Sequence, residues 1–149
     1  MKTKYLLFLA LLFALSACTS VTLSPANFAW PIENVVTTDN SGNVVVDRYS
    51  AEFNATNLFK AEFGDSADVA NKELRIIRDQ LGYYVMTAKG FMNVYVFEVS
   101  DGVFVLANKV FITKDGLNNP AFNQRQPYIE IFDGENKYVI GTKGTARQK

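Results

Sequence analysis

Carboxylates are the side chains through which this sequence could most readily do acid–base chemistry, because imidazole is missing and thiol nearly so. Its 149 residues include no histidine and one cysteine. That excludes Ser-His-Asp and Cys-His nucleophile pairs, histidine metal sites and any histidine pH switch. Carboxylate pairs, a serine–lysine couple and tyrosine are what remain. The tripeptide AEF occurs at residues 51–53 and again at 61–63, which places Glu52 and Glu62 at equivalent positions of neighbouring strands. Two carboxyl groups about 5 to 9.5 Å apart are what glycoside hydrolysis requires. Arg48 and Lys60 share that polar face, however, and the group reads more simply as a solvated sheet surface whose ion pairs contribute about 0 to 1 kcal/mol each. No motif brings a serine and a lysine together, so no catalytic residue is assigned.

Metal ligation is as thinly supported. Asp39, Ser41 and Asn43 alternate in a glycine-containing loop with Asp47 following, but a calcium loop would end in a bidentate glutamate that is absent here. The same residues are favoured by a β-turn for backbone reasons. The expectation is a turn, with no metal and no cofactor. Aromatic side chains are the stronger candidates for contact with a ligand or partner, and Trp30, Tyr83, Tyr84, Tyr95 and Phe122 are singled out. Tyr83 and Tyr84 are consecutive in a strand, so one should point inward and one outward, while Tyr95 and Phe97 share a face. Such rings could stack on sugars or apolar ligands, or fill a small β core and its rim. The amide-rich stretch from Thr113 to Pro127 reads as a long loop, either a binding loop or a surface loop pinned by Phe122.

The first residues, MKTKYLLFLALLFALSAC, have two lysines followed by an apolar run from Tyr5 to Leu15. Eleven residues are too few to span a bilayer, and the run reads as the core of an export signal. The sequence Leu15-Ser16-Ala17-Cys18 resembles the lipobox of bacterial lipoproteins. The resemblance covers this signal alone. It implies cleavage before Cys18, diacylglycerol on its sulfur and an acyl chain on its amine. An exported domain with a single thiol can close no disulfide of its own, and lipidation accounts for that thiol. Several acyl chains, at about 0.8 kcal/mol per buried methylene, make a permanent anchor. With Thr19 after the cysteine, the resemblance implies the outer membrane, with either its periplasmic or its surface face as the destination. Without Lys2 and Lys4 the mature chain has 13 basic and 15 acidic residues, a balance that excludes an electrostatic nucleic-acid binder.

Residues 18–28 then form a lipidated tether and 29–149 a single all-β domain. Short β-branched and aromatic runs alternate with turn residues, as in successive antiparallel strands. Residues 43–53 read as one strand with Val45, Tyr49, Ala51 and Phe53 on one face. Leu58 to Phe63 reads as another, with Phe59, Ala61 and Phe63 opposite Lys60 and Glu62. The segment FMNVYVFEVS (91–100) is apolar on both parities until Glu98 and should be central, covered on both faces. Asp101-Gly102 marks a tight hairpin, and residues 128–132 and 137–141 form another. One short helix is expected near residues 66–71 and about eight or nine strands elsewhere, as a small meander barrel or, alternatively, a two-layer sandwich. The function expected is non-enzymatic: a binding or structural module contacting an envelope protein, a glycan or an apolar ligand. A lipocalin-like carrier of a small apolar ligand is the second possibility, and a carboxylate-based glycan hydrolase a remote third.

Overall fold

A computed structural model describes residues 32–125, 128–141 and 146–148. Eleven strands and one α-helix follow in order. They are β1 (Asn34–Thr37), β2 (Asn43–Val46), β3 (Ala51–Asn54), α1 (Thr56–Phe63), β4 (Glu73–Arg78), β5 (Tyr84–Thr87), β6 (Asn93–Ser100), β7 (Val103–Phe111), β8 (Pro120–Arg125), β9 (Tyr128–Asp133), β10 (Asn136–Ile140) and β11 (Ala146–Gln148). All pairings are antiparallel, so the all-β expectation is met. A five-stranded sheet has the order β1-β4-β5-β6-β7, a second sheet the order β11-β10-β9-β8, and β2 and β3 form a separate hairpin.

The five-stranded sheet is the centre of the molecule because its strands are apolar on both parities. Leu74, Ile76, Met86 and Tyr95 face one core, completed by Val44 and Val46 of β2 and by Leu58 and Phe59 of α1. Ile77, Val85, Val94, Val96 and Val110 face the other, completed by Phe122, Ile129, Ile131 and Ile140 of the second sheet. This explains why the strands do not close into a small barrel. A barrel covers one face of its sheet with its own interior, whereas β4, β5 and the first half of β6 require cover on both. A sandwich fits, with the β2–β3 hairpin and α1 packed on the outer face.

Two hairpins lie where the sequence places them. Ser100 pairs with Val103 around Asp101 and Gly102, whose φ angles of 52° and 78° give the left-handed pair that a two-residue hairpin turn demands. Asp133 pairs with Asn136 in the second. Three local expectations are corrected. Residues 43–53 are not one strand: Val46 pairs with Ala51 around a 3₁₀ turn at Asp47–Tyr49, and it is Val44 and Val46, not Val45, that point inward. Residues 56–63 are helical rather than extended. The Asn54 side chain accepts the Thr56 N–H at 3.0 Å, Leu58 and Phe59 bury one side, and the Gly64 N–H closes the last turn on the Lys60 carbonyl at 2.9 Å. Residues 66–71 hold no helix, because Asp68 accepts the Ala70 N–H at 3.1 Å and pairs with Lys72 at 2.6 Å. An acidic residue that resembled a first-turn helix residue instead organises a turn.

Candidate functional site

The buried carboxylate of Glu62 is the most elaborate polar site in the described residues. Helix α1 turns this side chain against β6, where none of it is exposed. Its Oε2 accepts the Met92 N–H at 2.7 Å. Its Oε1 accepts the Asn93 side-chain amide at 2.7 Å and the Tyr95 hydroxyl at 2.5 Å. The Lys109 ammonium, on β7, lies 3.9 Å from Oε1 and 5.4 Å above the Tyr95 ring. Burial foremost, then the hydrogen bond to Glu62 and its charge, push the Tyr95 phenol far above its ordinary value. Hydrogen bonds to a charged group contribute about 1.5 to 3 kcal/mol each, so this cluster fastens α1 to the central sheet. It also leaves little of the carboxylate free to act on anything else.

Glu52 is elsewhere. It is exposed on β3 opposite Val45, while Glu62 is helical and enclosed, so the equivalent strand positions expected of the two glutamates are not formed. Asp39 is likewise engaged locally. Its carboxylate accepts the Ser41 N–H at 2.7 Å, the Asn43 N–H at 2.8 Å and the Asn43 side-chain amide at 3.0 Å. Those bonds, the Asn43 backbone foremost, hold it below the usual carboxylate range. The turn reading accounts for every one of these contacts. Among the described residues no group of three or more acidic or thiol side chains converges as a metal site.

The aromatic candidates are mostly taken up by the two cores. Tyr84 stands edge-on to Tyr49 and Phe104, at centroid distances of 5.2 and 4.9 Å. Tyr83 packs on the opposite core, so both consecutive tyrosines point inward, one to each side of a doubly covered sheet. Tyr95 and Phe97 do share a face, stacked at 6.5 Å, but Tyr95 is buried. Phe122 is buried too: residues 120–125 are strand β8 rather than loop, and its N–H donates to Glu33 Oε1 at 2.8 Å. Glu33 Oε2 in turn meets Arg75 at 2.9 Å. Trp30 and Cys18 lie outside the described residues.

What sequence reasoning missed is the surface left over. The covering layers reach only the first half of β6. Beyond a bulge at Val96/Phe97, the far half of the β6–β7 hairpin exposes Val99 at 50%, Val103 at 61%, Val105 at 42% and Leu106 at 51%. Several apolar side chains uncovered together are unusual on a lone domain and mark a contact surface. Comparison of the chain with protein-family models, with curated proteins and with solved structures gives no match.

Proposed function

We propose that this chain is a lipid-anchored protein of the bacterial outer membrane whose all-β domain is a non-enzymatic contact module, engaging an envelope partner through the far half of the β6–β7 hairpin. The exposed quartet of Val99, Val103, Val105 and Leu106 carries the reading. It is joined to the rest of the fold by a rigid sheet, and the most enclosed carboxylate, Glu62, is spent on holding α1. The anchor rests on the lipobox-like Leu15-Ser16-Ala17-Cys18 and on the absence of any second cysteine. Among the described residues no helix is long and apolar enough to cross a membrane.

Two measurements test the two halves separately. In a host able to acylate, the wild-type protein should incorporate labelled palmitate and sediment with membranes, and Cys18→Ala should do neither. Equal labelling of both would overturn the anchor. A photo-reactive residue at position 105 should give a defined adduct in cells, while one at Leu81, another exposed apolar position, in the β4–β5 turn, should not. Adducts at neither position would overturn the contact surface.

A further inference from the structure

Strand β7 carries more than an apolar surface. At nine residues it is the longest strand described, and it forms one outer edge of the central sheet. From Val103 to Ala107 no charge interrupts it. The opposite edge, β1, has only four residues. A long apolar edge with a row of outward N–H and C=O groups is a template for another strand, and proteins ordinarily blunt it with charge, proline or brevity.

We infer that β7 pairs antiparallel with β7 of a second copy of this chain, about a two-fold axis through Val105, so that two five-stranded sheets become one. This rests on the contact-module reading above and names the partner. In such an isologous contact each residue faces the one whose number completes a constant sum. With Val105 on the axis, Val103 faces the second copy's Ala107, Phe104 faces its Leu106 and Val105 faces its own counterpart. Every one of these pairs is apolar. The same register sets Asp101, in the hairpin turn, against Lys109 of the second copy, and by symmetry does so twice. Lys109 keeps 43% of its side chain exposed, enough to serve that neighbour. Moving the axis to Leu106 would set Lys109 against Val103 and Asp101 against Phe111, and both ion pairs would be lost. The bulge that leaves Ala107 without a partner on β6 bends the strand and ends the ladder there. A lipid surface suits this hairpin less well, since its tip presents Glu98 and Asp101. Anchoring in one membrane would assist pairing by raising the effective concentration of the copies.

The test uses the full-length protein in mild detergent. Sedimentation equilibrium should show a concentration-dependent dimer. Val105→Arg sets two guanidinium groups on the axis and should weaken it at least about tenfold, while Val105→Thr should retain it. Glu98, opposite Val105 within its own chain, gives the arginine a local partner, so the monomer should stay folded by circular dichroism. Under mild oxidation Val105→Cys should form a disulfide-linked dimer above the wild-type level, and Leu81→Cys should not. A wild type that is monomeric throughout, a Val105→Arg protein that dimerises like wild type, or equal cross-linking at positions 81 and 105 would each overturn the pairing. If the protein is monomeric while position 105 still forms an adduct with a different envelope protein, self-pairing fails and the contact-module reading survives. If position 105 forms no adduct of any kind, both fail.

Discussion

The hydroxyl of Tyr95 donates to Glu62 at 2.5 Å, and this bond joins the only α-helix among the described residues to the sheet beneath it. Two further donors, from Met92 and Asn93, converge on the same carboxylate. Glu62 therefore acts as a clamp rather than as a reagent. Removing the clamp leaves several enclosed donors without an acceptor.

Glu62→Ala should accordingly lower unfolding free energy by about 3 kcal/mol, with Glu62→Gln intermediate because one amide oxygen still accepts. Urea denaturation followed by circular dichroism measures this. Losses under about 0.5 kcal/mol, typical of an ordinary surface change, would show that the cluster contributes nothing.

Alkaline pH should destabilise the fold through tyrosine. Burial, aided by Glu62, raises the Tyr95 phenol, and burial also raises Tyr49. A group whose folded value lies above its unfolded value of about 10 contributes stability that is fully present below that pH and is lost as pH rises through the folded value. The urea midpoint should stay level up to about pH 9 and fall beyond pH 10. Tyr95→Phe should flatten that decline while lowering the midpoint at neutral pH. An unchanged slope would assign the alkaline loss to other groups.

Glu33 links the two principal sheets, since it holds Arg75 of β4 with one oxygen and the Phe122 N–H of β8 with the other. Glu33→Ala should cost about 2 to 3 kcal/mol. It should also raise amide hydrogen exchange at Phe122 before exchange rises in β5. Uniform acceleration across both sheets would argue against a local clamp.

Gly116 sits at φ 75°, and a Cβ there would lie 2.6 Å from the Gly90 carbonyl oxygen. That carbonyl belongs to a backbone exchange in which the Gly90 N–H reaches the Leu117 carbonyl at 2.7 Å and the Leu117 N–H reaches the Phe91 carbonyl at 2.9 Å. Gly116→Ala should therefore lose more than about 1 kcal/mol. Gly102→Ala, where nothing lies within 4 Å, should show the backbone strain alone. Thermal melts of the two variants side by side separate the clash from the strain.

The hairpin at Asp101-Gly102 and the double-sided burial of residues 93–96 are legible in the sequence because each depends on near neighbours. A left-handed turn needs those two residue types, and apolar side chains on both parities need cover on both faces. Helix α1 is not legible. Over six residues, Phe59, Ala61 and Phe63 suit period two while Leu58, Phe59 and Glu62 suit a helical face, and so short a run cannot decide between them. The role of Glu62 escapes for a different reason: its partners begin thirty residues downstream. Tyr83, Tyr84 and Tyr95 stand out in the sequence as rings, but their burial depends on how far the covering layers extend. The same limit conceals the bare end of the β6–β7 hairpin.

The position of Glu33 has a mechanical consequence. Any pull delivered to the domain from residue 32 reaches this carboxylate before it reaches the first strand, and the load divides at once between β4 and β8. Five-strand order places β1 four spacings, about 19 Å, from β7. A tug on the leader side would thus be absorbed at one rim of the central sheet, leaving the far rim undisturbed and free to hold on to whatever it has gripped.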